Sequence, residues 1–310
     1  MAKTYWASRL KLEDKIFDTI VFLILLFVGV ITAYPFLNVL AVSLNESIDT
    51  VRGGIGIFPR RPTIHNYERL LQNLELWTAT RISVLRTVIG ATLSTSVTVL
   101  VAYALSRPEF PLRRLISTML VITMYVSGGL IPQYMLYRAL GLLGNFWVYI
   151  FPTMAQAFNI IIVRTYIRSQ PDSFVESARL DGANEFRIIF SIVIPLIMPV
   201  VAVVILFVSV FQWNAWLDTY IFNPRAEHLT TLQYELQKRI TSAMQSMAQG
   251  VDQSSQQVIN EQADEMTRTV VLPRSVRAAM TMVTVIPIVM VYPFLQRYFV
   301  KGIMIGSLKG

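Results

Sequence analysis

The chain has 310 residues, of which 54% are hydrophobic and only 15% are charged, and its mean hydropathy is +0.52. This composition is too apolar for an ordinary soluble domain and indicates an integral membrane protein. The absence of cysteine excludes disulfides and thiolate chemistry, and two histidines, His65 and His228, argue against a histidine metal centre. The net charge of +8 comes from basic residues scattered between apolar segments, so we expect no nucleic-acid partner.

Six apolar segments are long enough to cross a bilayer, because a spanning helix needs about 20 residues. In chain order they are residues 16–41, 84–106, 115–137, 146–167, 190–212 and 277–299. The first is too long for the core of a signal peptide, so we expect it to be retained. The sequence therefore predicts an all-α integral membrane protein with six transmembrane helices and a single domain over residues 1–310.

The short connections between these segments predict the orientation. With the N-terminus inside, 14 of the 27 basic residues fall in short cytoplasmic stretches, which is the bias expected of such stretches. This places both termini and the loop over residues 168–189 in the cytoplasm, and the loop over residues 213–276 outside the cell. Residues 242–267 are rich in Gln, Ser and acids, and either a disordered loop or an amphipathic helix outside the bilayer fits them.

Ionisable residues are scarce inside the predicted spans. Asp18 and Arg86 lie near span ends, and the third and fifth spans carry none. A self-sufficient secondary transporter of a small neutral solute usually needs intramembrane ionisable groups, so it is the less favoured alternative. A membrane-embedded enzyme would need clustered carboxylates, for which only Asp181 and Glu185 are candidates.

The predicted cytoplasmic loop is unusually detailed for a connection. It contains ESARLDGANEFRIIFSIVIPLIMP over residues 176–199. Ser173 and Glu176 have the spacing of a capping box, which predicts a short helix starting there. Gly182 is expected to end that helix, with a second short helix over residues 183–190 turning toward the membrane. Pro195 and Pro199 are expected to shape the inner end of the fifth span.

This loop resembles the "EAA" loop of permease subunits of ATP-binding-cassette (ABC) importers. The resemblance is carried by Glu176-Ser177-Ala178, Asp181-Gly182-Ala183 and Ile194-Pro195, with Ser177 where the family more often has alanine. Further segments resemble the maltose-type second permease of sugar importers: FPRRPTIHNYERLL (58–71), MYVSGGLIPQYML (124–136), FQWNAWLD (211–218) and FLQRYFVKGIMIGSLKG (294–310). The resemblance is greatest to the branch that serves oligosaccharides from complex polysaccharides.

The resemblance implies a type I importer permease of the MetI-like fold in the bacterial cytoplasmic membrane. Its implied partners are a second homologous permease in a heterodimer, two ABC ATPase subunits and an extracytoplasmic binding protein. The dipeptide Gly-Lys of a phosphate loop does not occur in the chain, so ATP and magnesium are expected on the ATPase, and the chain itself is expected to have no catalytic residues, no metal and no cofactor. The residues expected to couple the chain to the ATPase are Glu176, Ser177, Ala178, Asp181, Gly182 and Ala183, together with Lys309 and Gly310 of the tail.

Neutral polar and aromatic residues in the spans suit a hydroxyl-rich solute. The candidates for the substrate path are Gln133, Tyr134, Gln156, Asn159, Gln212, Trp213, Asn214 and Trp216. Trp213 and Trp216 are expected to share a helical face if the fifth span continues for one more turn. Two other interpretations stay open: an interfacial belt of aromatic residues, and hydrogen bonds between helices.

Overall fold

The computed structural model describes residues 12–248 and 273–307. Within those residues the secondary structure is helical, and an isolated β-bridge joins Asn45 to Pro62. The first helices are α1 (Leu12–Ser43), α2 (Ser47–Val51), α3 (His65–Leu71), α4 (Leu74–Ser106), α5 (Arg113–Tyr125), α6 (Leu130–Ala139) and α7 (Ala157–Arg168). They are followed by α8 (Ser173–Leu180), α9 (Glu185–Ile188), α10 (Ile194–Leu196), α11 (Met198–Asn214), α12 (Leu217–Phe222), α13 (Leu232–Ala248) and α14 (Pro273–Ser307). Shorter segments are the 3₁₀ turns Phe146–Tyr149, Phe151–Thr153 and Glu227–Leu229 and the π-helical turn Ile189–Val193.

Three helical segments are long and apolar enough to cross a membrane: Asp14–Ser43, Leu74–Ser106 and Pro273–Val291. Two bent pairs raise the number to five if each pair is one span: Phe146–Thr153 with Ala157–Arg168, bent by 45°, and Glu185–Leu196 with Met198–Asn214, bent by 83°. The structure thus supports an all-α membrane protein with three to five candidate spans.

The predicted third span is divided between α5 and α6. The two helices are separated by residues 126–129, where Val126 is extended and Gly129 has a φ of +81°. That left-handed conformation favours glycine and ends regular helix. Neither piece reaches the length that a span needs, since α5 has 13 residues and α6 has 10.

The fifth predicted span is broken between α10 and α11. Pro199 lies in the first turn of α11 and has no backbone N–H with which to continue a helical ladder from the preceding turn. The π-helical turn Ile189–Val193 precedes the break. Pro195 in α10 and Pro199 in α11 thus flank the break, at the end of the span that the sequence expected them to shape.

The described residues fall into two units, with boundaries after Gln72, Thr241 and Val283. In the first unit, Asn66 ties the segment after α1 together, because its side-chain amide donates to the carbonyls of Ser43 and Asn45, both at 2.9 Å. The Ser47 hydroxyl donates to Asn66 Oδ1 at 2.9 Å, and the hydroxyls of Tyr67 and Ser43 lie 2.7 Å apart. Asn66 and Tyr67 thus fix the chain where α1 ends.

The second unit is built around α4, which packs on α7 and α11. Its contact face carries small residues, Gly90, Ala91, Ser94, Thr98 and Ala102, at helical spacing. A methyl group at Gly90 would lie 2.8 Å from Gln212 Nε2, so only glycine fits this approach of α11. The apolar core between the three helices includes Val99, Ile160, Val163, Val204 and Val208.

Of the polar connection after α12, the structure describes α13 as far as Ala248. Residues 249–272, and with them most of the segment left open between disorder and helix, lie outside the described residues.

Candidate coupling surface and transport path

The predicted cytoplasmic loop begins with α8. Asp172, not Ser173, is the residue before its first turn, and no side chain caps the helix. The predicted capping box of Ser173 and Glu176 is therefore wrong, because Ser173 lies one residue too far into the helix to accept the end N–H bonds. Asp172 instead lies 3.8 Å from Arg107 Nη1.

Gly182 ends α8 as predicted. Its φ of +77° is left-handed, and the backbone N–H groups of Ala183 and Gly182 donate to the carbonyls of Ala178 and Arg179, both at 3.0 Å. These two bonds define a Schellman motif, which reverses the chain at a helix end. Asn184 Oδ1 then accepts from the Arg187 N–H at 2.8 Å and starts α9, the second short helix.

The predicted coupling residues divide between two faces. Glu176, Ser177, Asp181 and Gly182 are exposed. Ala178 is 8% exposed and packs with Val175 in the chain's own core, against which Ala183 also packs. The small side chain of Ala178 thus lets α8 approach the membrane helices of its own chain. Lys309 and Gly310 lie outside the described residues.

Three large apolar side chains are exposed on the same loop. Phe174, Leu180 and Phe186 are 51%, 89% and 71% exposed. Large apolar side chains exposed on one loop are typical of an interaction site. We define the α8 surface as Phe174, Glu176, Ser177, Leu180, Asp181 and Phe186. Sequence reasoning missed the contribution of Phe174 and Leu180, which lie outside the buried pair of Val175 and Ala178 on α8.

A network of polar side chains fastens this loop to the end of α4. The Tyr103 hydroxyl donates to Glu185 at 2.5 Å, and Arg179 donates to Glu185 and to Glu109, both at 2.9 Å. The Arg107 guanidinium lies 4.5 Å from the centre of the Tyr103 ring. We call these five residues the clamp. Glu185 is one of the two carboxylates considered as candidates for an enzyme, and here its oxygens accept hydrogen bonds from Tyr103 and Arg179.

The charges of Glu109 and Arg179 in the clamp stabilise each other's ionised form. A hydrogen bond from its own backbone N–H, and then the one from Arg179, hold the pKa of the Glu109 carboxyl below its usual value. The bond to Glu109 in turn raises the pKa of Arg179. Both groups therefore stay ionised at neutral pH, and the loop is held by charge-assisted bonds.

A second cluster of polar side chains surrounds the buried Arg86 of α4. Arg86 is 0% exposed, donates to Gln212 Oε1 at 2.8 Å and binds both carboxylate oxygens of Asp218. Its guanidinium lies 4.6 Å from the centre of the Tyr149 ring. The Gln212 amide donates to the Tyr149 carbonyl at 3.2 Å and to Thr153 Oγ1 at 2.9 Å. We call Arg86, Tyr149, Thr153, Gln212 and Asp218 the Arg86 junction.

Sequence reasoning placed Arg86 near a span end and missed the junction. The helix begins at Leu74, ten residues before the predicted span at residue 84, so Arg86 lies within α4. Its partner Asp218 lies after α11. The sequence signal for this pair was an arginine beside a long apolar run and an aspartate at the end of the segment FQWNAWLD (211–218), because an intramembrane charge requires a partner.

The predicted path residues of α11 have separate environments. Gln212 and Trp213 are 1% and 9% exposed, and Trp213 Nε1 donates to the Thr284 carbonyl at 2.9 Å. Asn214 is exposed. The helix ends at Asn214 and Trp216 precedes α12, so the two tryptophans do not share a helical face. Trp216 lies against Tyr220, with 6.5 Å between ring centres.

The other predicted path residues lie on α6 and at the start of α7. Gln133 donates to the Tyr137 hydroxyl at 2.6 Å, and Tyr134 stacks on Phe222 with ring centres 6.2 Å apart. Asn159 is 2% exposed and donates to Gln156 at 3.1 Å. The structure therefore distributes the eight residues over several elements, and their role in the path stays a prediction.

Comparison with known proteins agrees with these features. The model of the family described as "Binding-protein-dependent transport system inner membrane component" matches residues 83–305. The chain is 31% identical over 300 residues to the polygalacturonan/rhamnogalacturonan transport system permease protein YtcP of Bacillus subtilis (strain 168), covering 96% of this chain and 100% of the relative. It is also 31% identical over 297 residues to protein LplC of the same organism, covering 96% of each.

A solved structure has the same fold. A chain in the crystal structure of a bacterial ABC transporter involved in the import of the acidic polysaccharide alginate superposes with a TM-score of 0.79 and 28% identity. The match covers 94% of this chain and 99% of that chain. The resemblance to ABC importer permeases is thereby confirmed, and the chain belongs to the family of binding-protein-dependent transport system inner membrane components.

Proposed function

We propose that this chain forms half of the transmembrane pathway of an ABC importer for oligosaccharides derived from complex polysaccharides. Membership of the family supports the import function. The oligosaccharide class is supported by full-length similarity to a relative named for polygalacturonan and rhamnogalacturonan transport. A further relative, 24% identical over 289 residues, is the arabinooligosaccharides transport system permease protein AraQ of Halalkalibacterium halodurans.

The α8 surface carries the proposal. It combines exposed apolar side chains, Leu180 foremost, with the carboxylates Glu176 and Asp181 on a short helix that the clamp fastens to α4. A partner that moves α8 would therefore pull on α4. We propose that the ABC ATPase docks on this surface and that its closure reaches the membrane helices through the clamp. The tail with Lys309 and Gly310 is proposed as a second contact with the ATPase.

We further propose six crossings with both termini in the cytoplasm of a bacterium. The division of residues 113–139 into α5 and α6 makes the third crossing a broken one. Most apolar side chains of α1 are exposed along its length, Phe17, Phe22 and Phe27 among them. They are available to lipid and to the second permease subunit. That subunit, two ATPases and an extracytoplasmic binding protein complete the transporter.

For the sugar path we propose the neutral polar residues identified from sequence. The exposed amide of Asn214 and the half-buried Trp216 follow directly on the Arg86 junction, which fixes the end of α11. A fixed polar and aromatic rim of this kind suits a pyranose ring.

The test is reconstitution in liposomes. We expect uptake of pectin-derived oligosaccharides only when this chain is combined with its second permease, ATPase, binding protein and ATP. Uptake by this chain alone, or without ATP, would contradict the proposal and favour the secondary transporter. Full assembly with ATP-driven uptake of a solute other than an oligosaccharide would retain the importer and reject the substrate class.

A further inference from the structure

Arginines gather where α5 begins and α7 ends. Arg113 and Arg114 occupy the first turn of α5, and Arg164 and Arg168 lie one turn apart at the end of α7. Arg164 Nη1 donates to Ser117 Oγ of α5 at 2.9 Å, which joins the two helices. Arg113 and Arg168 both lie near enough to Arg164 to repel its charge.

This cluster has no compensating acid among the residues that the structure describes. The ion pairs found there involve other basic residues, and α5 has no acidic residue in its first turn. Arg164 Nε is buried and has no hydrogen-bond partner within the same ranges. Cations at the start of a helix also oppose its dipole. The described part of the chain therefore leaves this positive charge uncompensated.

The cluster borders an open cleft. The cleft has a volume of about 390 Å³ and is lined by Arg164, Thr165, Arg168 and Ser169. Two guanidinium groups beside one cleft are a donor set that suits a phosphate, because guanidinium offers paired N–H groups in one plane. The bias toward basic residues at one membrane face explains their number. It does not explain why Arg164 and Arg168 border one cleft with no acidic partner among the described residues.

We propose that this cleft binds the phosphate of an anionic membrane phospholipid. The cleft lies at the end of a candidate span, which is where lipid headgroups lie. Basic pockets between membrane helices are known to hold acidic headgroups. Arg164 and Arg168 bind the phosphate, whereas the Thr165 and Ser169 hydroxyls donate to the carbonyls of Ile161 and Tyr166, both at 2.8 Å, and only line the cleft. Arg113 adds attraction from α5. The bound lipid then fixes α7 against α5 through the pair of Arg164 and Ser117.

The test uses the full chain in a neutral detergent. Native mass spectrometry is followed while phosphatidylglycerol, or phosphatidylcholine with the same acyl chains, is added. We expect retention of phosphatidylglycerol and an increase in melting temperature with it alone. The variant R164Q/R168Q should bind phosphatidylglycerol more weakly by about fivefold or more for each charge removed. The matched control R138Q/R225Q, which removes two exposed arginines elsewhere, should bind like the wild type.

Each contrary result overturns the proposal. Equal retention of the two lipids by the wild type, or equal retention of phosphatidylglycerol by R164Q/R168Q, rules out a headgroup site. Displacement by millimolar inorganic phosphate or glycerol phosphate would identify a free anion as the ligand. If R164Q/R168Q bound the lipid normally but lost the ATPase from the assembled complex, the arginines would face an acidic protein partner instead. If R164Q/R168Q does not fold, the lipid comparison in the wild type decides alone.

Discussion

Gly182 shows how one backbone conformation supports the proposed coupling. A methyl group added there would meet nothing within 4 Å in this chain, so space is not what requires glycine. Its left-handed φ of +77° is the requirement, and a residue with a Cβ pays about 1–2 kcal/mol for it.

We therefore expect Gly182→Ala to loosen the corner between α8 and α9 and to lower ATPase stimulation in the assembled complex. Gly182→Asn is the matched control, because asparagine tolerates this conformation. Normal coupling in Gly182→Asn with a defect in Gly182→Ala assigns the glycine to backbone geometry. A defect in both variants shows close approach of the partner, and a defect in neither makes the loop a simple linker.

Arg86 and Asp218 form the other residue-scale feature, a buried ion pair. Breaking such a pair leaves an uncompensated charge, which costs about 3–5 kcal/mol. We expect Arg86→Met to lower the melting temperature of the purified chain strongly, and Asp218→Asn to do so less because the amide still accepts one bond. The double variant Arg86→Met/Asp218→Leu should be more stable than Arg86→Met, since no charge is left buried. A double variant no better than the single one would show that Arg86 acts mainly through Gln212 and Tyr149.

At the scale of elements, α8 has one face in the core and one in solvent. Leu180 is 89% exposed, so replacing it should leave the fold intact. We expect Leu180→Asp to reduce recovery of the ATPase when this subunit is purified from the assembled complex. Leu140→Asp, at an apolar position 62% exposed beside α6, is the control and should have no effect. Equal recovery in both variants would remove Leu180 from the docking site.

The clamp joins α8 and α9 to α4 and can be tested separately from docking. Arg179→Gln removes its bonds to Glu109 and Glu185, which are surface pairs that stabilise the fold by about 0–1 kcal/mol. We expect the ATPase to bind but its substrate-stimulated hydrolysis to decrease. Arg187→Gln, an exposed arginine on α9, is the control. Reduced binding instead of reduced stimulation would place Arg179 in the docking contact.

The ion pair of Arg179 with Glu109 gives the stability of the clamp a pH dependence with a defined sign. The pKa of Glu109 is lowered in the folded chain, so its contribution is present above the usual carboxyl pKa. It is lost as the pH falls through the lowered value. The clamp therefore stays intact throughout the neutral range.

How far elements could be predicted from sequence depended on whether the signal was local. Gly182, Pro195 and Pro199 fix backbone geometry by themselves, so the end of α8 and the bend before α11 were predictable. The capping box failed because the helix starts one residue earlier than the pattern requires. The division of the third span depends on Gly129, whose left-handed φ a hydropathy window does not detect.

At the scale of the whole molecule, contacts distant in sequence could not be predicted. The Arg86 junction joins positions 126 and 132 residues apart, and the clamp bond between Tyr103 and Glu185 joins positions 82 apart. Composition indicated membrane residence, and the motifs indicated the family. Neither composition nor motifs indicated which charged side chains pair, because that pairing is set by how α4, α11 and α12 pack.

The path prediction also belongs to the whole molecule, because transport needs the assembled importer. Asn214 is exposed at the end of α11, whereas Trp213 is buried with its Nε1 bonded to the Thr284 carbonyl. We expect Asn214→Leu to lower oligosaccharide uptake severalfold at saturating binding protein with normal assembly, since it removes amide contacts at little cost to packing. Trp213→Phe removes the bond from Nε1 to the Thr284 carbonyl and should lower the melting temperature by an amount worth about 0.5–1.5 kcal/mol. Full uptake by Asn214→Leu would take this end of α11 out of the sugar path and leave it a structural corner held by Arg86.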